Sequence, residues 1–153
     1  MNRNTGFTLV EILIVVIILG ILAAIVIPQF TEASNDARQS ALASDLQTVR
    51  SQIELYKVQH LEMLPSDQDV RGDGLATALF ITRLTSRTDQ AGAIDPDGTY
   101  GPYLQTFPTN QFNTFATVGF GAVDATGGNL TGWWLNTSTG KFQAEDSAAH
   151  AKL

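Results

Sequence analysis

One charged residue lies inside the most apolar part of the chain. Glu11 is the only ionisable side chain in residues 7–27, and its neighbours in that run are almost all aliphatic. A carboxylate in the hydrocarbon region of a membrane costs a few kcal/mol, so a charge kept there marks a function by default. The other explanation is that the Glu11 side chain extends to the headgroups near the membrane face.

Other residue types that carry chemistry are scarce. The sequence has no cysteine, and His60 and His150 are its only imidazoles, which excludes thiol nucleophiles, cysteine-ligated zinc and multi-histidine metal sites. No nucleophile and base stand at a recognisable spacing, and no glycine-rich phosphate loop precedes a helix. We therefore predict that the chain is not an enzyme. Its net charge of −6, from 9 Lys+Arg against 15 Asp+Glu, predicts no direct binding of nucleic acid.

The apolar run positions Glu11, and as a helix it matches the thickness of a bilayer. Its roughly 21 residues would measure about 31 Å, the thickness of the hydrocarbon core. A cleaved signal peptide would need a small-x-small site after the run, and the segment ILAAIVIPQF offers none in a good place. An ordinary signal anchor, with Arg3 held in the cytoplasm by the positive-inside rule, explains the run but does not explain Glu11.

Several unusual features occur together around Glu11. The stretch Gly6-Phe7-Thr8-Leu9-Val10-Glu11 has a short polar leader that ends in glycine, then an aromatic residue, then a glutamate four residues later. With the apolar segment that continues to Pro28, it resembles the processing site of type IV pilins and type II secretion pseudopilins. The resemblance implies that a membrane-embedded prepilin peptidase cleaves after Gly6 on the cytoplasmic side and methylates the new amine of Phe7. Residues 1–6 are then a leader peptide.

The resemblance also implies roles in assembly for Glu11, Gly20 and Pro28. In a helical filament the Phe7 ammonium of one subunit would meet Glu11 of a neighbour, and each would neutralise a charge that is costly in an apolar core. Glu11 would thereby set the register of an incoming subunit. Gly20 and Pro28 weaken the helix, and in this family the segment between such positions bends or melts on assembly. The other explanation is a harmless kink at the membrane exit.

One long helix is predicted to carry these residues. No glycine occurs between Gly20 and Gly72, so we expect a helix over about residues 7–60, roughly 80 Å long. Residues 7–28 form its membrane and filament-core part, and residues 29–62 form its amphipathic continuation. The continuation has one apolar face at helical spacing, which we expect to pack as core. This face contains Leu42, Leu46, Val49, Ile53, Tyr56 and His60.

Residues 63–153 are predicted to form a globular domain with a short helix and an antiparallel meander of three strands. The helix is expected over 74–84, with Leu75, Leu79 and Ile81 inward. The strands are expected over 115–123, 131–136 and 141–144. The fold class is therefore α+β and pilin-like, with the long amino-terminal helix packed against a small antiparallel sheet.

Aromatic residues are expected to anchor the sheet, and the end of the chain is expected to be loose. Residues 145–153 are predicted to be a frayed tail. The predicted anchors are Trp133, Trp134, Phe115, Phe120 and Phe142.

Calcium is the one cofactor for which the sequence offers candidates. Members of the major pseudopilin subfamily bind calcium in a carboxy-terminal loop, and the stretches LPSDQDVRGDGLATAL and GPYLQTFPTNQFN loosely resemble that subfamily. The candidate ligands are Asp124, Asp146 and Glu145 near the sheet, or Asp95 and Asp97 in a loop. The other explanation is that these carboxylates are solvated in turns or cap helices.

Taken together, the resemblance implies a structural subunit of a helical filament. The chain would cross the bacterial inner membrane once, with its carboxy-terminal domain outside the cytoplasm, and would enter a periplasmic or extracellular filament. Its partners would be copies of itself, the prepilin peptidase and the inner-membrane secretion or pilus assembly machinery. A type II secretion pseudopilin, most like the major one, is favoured. The alternatives are a type IV pilus subunit for adhesion, motility or DNA uptake, and an anchored periplasmic binding module that never polymerises.

Overall fold

The computed structural model describes residues 7–66 and 76–153, which form two helices, three strands and one short 3₁₀ helix. The chain divides into two units, residues 1–38 and 39–153. The α+β fold class is confirmed, and the long amino-terminal helix with a small sheet is consistent with a pilin-like fold. The elements are α1 (Leu9–Gln59), α2 (Ala76–Thr85), β1 (Val118–Gly121), β2 (Trp133–Asn136), β3 (Phe142–Ala144) and the 3₁₀ helix His150–Lys152.

Helix α1 agrees closely with the helix predicted over residues 7–60. It continues without a break through Gly20 and Pro28. Every described side chain of the first unit is exposed, and none of its described aliphatic residues belongs to the hydrophobic core. In the described part of the chain, α1 is the one helix that is long and apolar enough to cross a membrane.

The second unit builds its core on the predicted face of α1. The predicted apolar residues and His60 are at most 1% exposed, so this prediction is confirmed. Helix α2 contributes Phe80 and Leu84, which are both fully buried. Ile81 packs against the core as expected and Leu79 is partly buried. The fully buried residues of this helix are Phe80 and Leu84, one turn apart, which were not predicted. Leu75 lies outside the described residues.

The sheet is mixed, which corrects the predicted antiparallel meander. Strands β2 and β3 are antiparallel, with Leu135 opposite Phe142. Strands β1 and β2 are parallel, with Val118 opposite Trp133. The physical reason is the connection between them, because residues 122–132 run back to the starting edge before β2 begins, as a parallel pair requires.

Two glycines of β1 make room for an indole ring. A Cβ added to Gly119 would lie 2.6 Å from Cε3 of Trp134, and one added to Gly121 would lie 2.6 Å from Cζ2 of the same ring. Val118 and Phe120 alternate with these glycines and face the core. Strand β1 therefore packs aliphatic and aromatic side chains on one face and an indole directly on its backbone on the other.

Two of the predictions for the end of the chain were wrong. Phe115 is 44% exposed and does not belong to the hydrophobic core, whereas Trp133 and Phe142 are buried with ring centroids 5.5 Å apart. Residues 145–153 are packed rather than frayed. Ala151 is 4% exposed, and the Arg50 guanidinium of α1 donates to the carbonyls of Phe142 and Leu153 at 2.8 and 3.0 Å. This packing was not predicted, because the partners of residues 145–153 lie far away in the sequence.

Candidate assembly site

The first turn of α1 places Glu11 in a reciprocal set of hydrogen bonds with Thr8. The backbone N–H and the hydroxyl of Thr8 both donate to Oε2 of Glu11 at 2.8 Å. The backbone N–H of Glu11 donates back to the Thr8 hydroxyl oxygen at 3.2 Å. This is a capping box, in which the residue before the helix and the third residue inside it satisfy each other's free N–H groups.

The capping role of Thr8 was not predicted from the sequence. The signal was present, because a threonine followed three residues later by a glutamate before an apolar run is the pattern of a capping box. The acidic side chain in the first turn also interacts favourably with the positive end of the helix dipole. Glu11 therefore stabilises the start of its own helix, whatever else it does.

The proposed cleavage site lies at the edge of the described residues. Gly6 lies outside the described residues. Phe7 is 83% exposed and precedes the capping residue Thr8. An amine created at Phe7 would lie two residues before the first helical residue, Leu9, and four residues before Glu11.

Gly20 and Pro28 are the two weak points of the exposed helix. A Cβ added to Gly20 would meet nothing within 4 Å, so glycine is not required there by packing within the chain. Pro28 lies inside the helix and has no N–H to donate to the carbonyl of Ala24, one turn earlier. Both residues lower the cost of opening the helix locally.

Asp124 has protein partners on both carboxylate oxygens. Asn136 donates to Oδ1 at 2.7 Å, and the Lys141 ammonium donates to Oδ2 at 2.8 Å. The Lys141 ammonium, followed by the Asn136 amide, lowers the pKa of the Asp124 carboxyl below its ordinary value of 3.8. The carboxylate is therefore charged and paired at neutral pH.

The remaining metal candidates lie in different surroundings. Asp146 accepts from the Asn110 amide at 2.8 Å and pairs with the His150 imidazole. Asp95 accepts from the backbone N–H of Asp97 at 3.0 Å within a turn. Across residues 7–66 and 76–153, no group of three or more His, Asp or Glu side chains is close enough to hold a metal ion. The structure does not bring the five candidates, which include Glu145, together as one group, and the calcium site stays a prediction.

His60 is a packed residue, as the sequence indicated. Its ring stacks on Tyr56 with centroids 3.8 Å apart. Its Nδ1 lies 2.9 Å from the Tyr56 carbonyl, which can only accept, and its Nε2 lies 3.0 Å from the Thr88 hydroxyl. His60 therefore joins the end of α1 to the loop that contains Thr88.

Comparison with known proteins confirms the resemblance to pilins and pseudopilins. Residues 1–27 match the family model described as the prokaryotic N-terminal methylation motif. The type II secretion system core protein G of Pseudomonas aeruginosa is 38% identical over 67 residues, covering 44% of this chain and 46% of that protein. The protein of the same name from Vibrio cholerae is 35% identical over 68 residues, covering 44% and 47%.

A pilus protein is similar to the same degree. The type IV narrow pilus major component PilA5 of Thermus thermophilus is 38% identical over 66 residues, covering 43% of this chain and 57% of that protein. This chain thus spans about half the length of the curated relatives it matches. No solved structure matches it.

Proposed function

We propose that this chain is a structural subunit of a pilin-like helical filament and that it works as a type II secretion pseudopilin. One observation carries the proposal: a continuous helix with an exposed aliphatic surface begins at a capping box built on Glu11, the one carboxylate of residues 7–27. The methylation motif and the relatives named core protein G support it. The names of these relatives describe parts of a secretion system, which supports a structural rather than an enzymatic role.

Processing supplies the cation for Glu11 in this proposal. Cleavage after Gly6 frees the amine of Phe7, and methylation keeps its positive charge. The two Thr8 donors both reach Oε2 of Glu11, so the ammonium of a neighbouring subunit can approach Oε1 while the helix cap stays formed. An arriving subunit that does not supply this ammonium leaves a charge unpaired in an apolar environment, which is costly.

The exposed helix also accounts for the proposed location and partners. Before assembly, lipid covers its aliphatic side chains in the inner membrane, and afterwards the helices of neighbouring subunits do so. The amino terminus lies in the cytoplasm, where the prepilin peptidase cleaves it, and the sheet-containing unit lies outside. The inner-membrane assembly machinery then extracts the subunit, and Gly20 and Pro28 let the helix adjust as it leaves the lipid.

A type IV pilus subunit is the second candidate, because the pilus component of Thermus thermophilus is as similar as the secretion proteins. An anchored module that never polymerises is the third. It needs the same membrane helix but gives Glu11 no partner in another subunit.

A glutamate substitution on the same helix separates a filament subunit from an anchored module. The full chain is produced in a bacterium with a prepilin peptidase and a type II secretion system, and filaments sheared from the cells are quantified. We expect Glu11→Gln to reduce the yield about tenfold or more while the protein still accumulates in the membrane. Glu32→Gln is the matched control, because Glu32 is an exposed glutamate of the same helix.

Cross-linking provides a second measurement. Since the chain has no cysteine, a single cysteine at the exposed position Ile17 forms a disulfide only between subunits. A filament subunit gives Ile17→Cys dimers that Glu11→Gln reduces. Equal filament yields for Glu11→Gln and Glu32→Gln, or no dimers at all, would favour the anchored module. Filaments that form with a type IV pilus machinery but not with the secretion machinery would favour the pilus subunit.

A further inference from the structure

The connection between β1 and β2, residues 122–132, is hydrogen-bonded to the sheet at successive positions. The Asp124 carboxylate and the backbone N–H groups of Ala125, Gly127, Gly128 and Asn129 are all bonded to groups of β2, β3 or the residue after β3. These bonds tie to the sheet a segment whose backbone runs beside it without belonging to it.

Two buried side chains accept hydrogen bonds from the backbone of this connection. Gln143 and Glu145 are 2% and 4% exposed, and they lie two positions apart along β3 and its continuation. The side-chain oxygen of Gln143 accepts from Ala125 N–H at 3.0 Å. The Glu145 carboxylate accepts from Gly128 N–H at 3.0 Å and from Gly127 N–H at 3.4 Å. The buried carboxylate of Glu145 is therefore directed at backbone donors.

An ion pair between Lys141 and Asp124 also joins the connection to the sheet. The ammonium of Lys141, two positions before Gln143, lies 2.8 Å from Oδ2 of Asp124. The other Asp124 oxygen accepts from the Asn136 amide, whose own carbonyl oxygen accepts from the backbone N–H groups of Ser138 and Thr139. Asp124 thus links the connection to the β2–β3 hairpin through one cation and one amide.

These residues do not fit the calcium site that the family resemblance implies. Calcium takes six to eight oxygen ligands at about 2.3–2.6 Å. Both oxygens of Asp124 already have donors, and the Lys141 ammonium would repel a divalent cation placed beside them. The carboxylate oxygens of Glu145 face N–H groups, which cannot ligate a cation.

We propose that the β1–β2 connection is held by the protein's own groups, with the Lys141 ammonium providing the positive charge for Asp124, so that the second unit folds without a divalent cation. The buried carboxylate of Glu145 and amide of Gln143 provide the remaining bonds. This inference does not depend on filament assembly, because it concerns the folding of one subunit. Its failure is therefore distinguishable from a failure of the proposed function.

Thermal unfolding of the full chain in detergent micelles tests the proposal. The two tryptophans, Trp133 and Trp134, both lie in β2, and the Trp134 indole N–H donates to the Val123 carbonyl in the connection at 2.8 Å. Tryptophan fluorescence therefore reports on this region. We expect Tm to agree within about 1 °C between EDTA and about 5 mM CaCl2, whereas a site saturated well above its Kd would raise Tm by about 6 °C or more.

Charge reversal tests the role of Lys141. Lys141→Glu places a second carboxylate beside Asp124, and we expect it to lower Tm by about 3 °C or more in EDTA. Arg38→Glu is the matched control for the change in charge, because Arg38 is an exposed cation outside the second unit, and we expect it to leave Tm within about 1 °C. Lys141→Met, which removes the charge and keeps the length, should lower Tm less than Lys141→Glu does.

Two results would overturn the proposal. The first is a calcium-dependent rise of several degrees in the Tm of the unaltered protein, because it would show a bound cation. The second is an equal effect of Lys141→Glu and Arg38→Glu, because it would show that Asp124 does not depend on the Lys141 ammonium.

Discussion

The backbone N–H of Thr8 and the carboxylate of Glu11 are joined by a 2.8 Å hydrogen bond at the start of a helix whose side chains there are exposed and mostly apolar. The residue proposed to pair with a neighbouring subunit therefore also caps its own helix. A Glu11 substitution changes both interactions at once. Thr8 offers a way to separate them, because its side chain takes part in the cap and carries no charge.

Thr8→Ala is expected to loosen the first turn of α1 while keeping the charge of Glu11. It removes the hydroxyl that donates to Oε2 and accepts from Glu11 N–H, at a cost of about 1 kcal/mol. Amide hydrogen exchange in detergent micelles should then be about fivefold faster at Glu11. Thr31→Ala, which removes a hydroxyl bonded to the Ile27 carbonyl on the same helix, should leave the exchange of Glu11 unchanged. Equal exchange rates in Thr8→Ala and the unaltered protein would contradict the capping role.

Gly119→Ala is expected to destabilise the second unit. The new Cβ would lie 2.6 Å from the Trp134 ring, so either the indole or the strand must shift, at a cost of about 1–3 kcal/mol. Urea unfolding followed by tryptophan fluorescence measures the loss. Gly20→Ala is the matched control, because its Cβ would meet nothing, and it should leave this transition unchanged. A Gly119→Ala midpoint equal to that of the unaltered protein would show that Trp134 does not lie on β1.

Glu145→Ala is expected to lower the free energy of unfolding by about 1–3 kcal/mol. The substitution leaves the N–H groups of Gly127 and Gly128 without their carboxylate acceptor, and hydrogen bonds to a charged group contribute about this much. Glu145→Gln keeps one acceptor oxygen and should cost less. Glu54→Ala, at an exposed glutamate of the same unit, should stay within about 0.5 kcal/mol. If Glu145→Ala costs no more than Glu54→Ala, the connection is held in another way.

The Asp124–Lys141 pair gives a pH dependence of known sign. Lys141 and Asn136 lower the pKa of the Asp124 carboxyl below 3.8 in the folded protein. The stabilising contribution is therefore present above the unfolded pKa and is lost as the pH falls through the folded pKa. The Tm difference between the unaltered protein and Asp124→Asn should be largest near neutral pH and should shrink as the pH falls below 3.8. A difference that grows as the pH falls would contradict this assignment.

The helices were largely predictable because their signals are local. The spacing from Leu42 to Tyr56 identified the buried face of α1 without knowledge of what covers it. The Thr8-x-x-Glu11 pattern of the capping box was equally local. Glu11 was recognised for its charge in an apolar run. Its capping role could also have been predicted, because it depends only on a threonine three positions before the glutamate.

The direction of β1 and the packing of the tail were not predictable in the same way. A strand such as VGFG has the same alternation in either direction, and its pairing depends on how residues 122–132 return along the sheet. Residues 145–153 have the composition of a polar terminus. Their packing depends on the hydrogen bonds from Asn110 to Asp146 and from Gly128 of the connection to Glu145. Contacts between distant segments decide both features, and sequence spacing does not contain them.

The mass of the amino-terminal peptide of the membrane-extracted protein tests the central claim most directly. The protein is produced in cells that contain a prepilin peptidase, and the peptide is identified by tandem mass spectrometry. A filament subunit of this class predicts a chain that starts at Phe7 and carries one added methyl group on its amine. A chain that keeps Met1 and residues 1–6 would contradict processing at Gly6, and the proposal that Glu11 pairs with a neighbour's amine would fall with it.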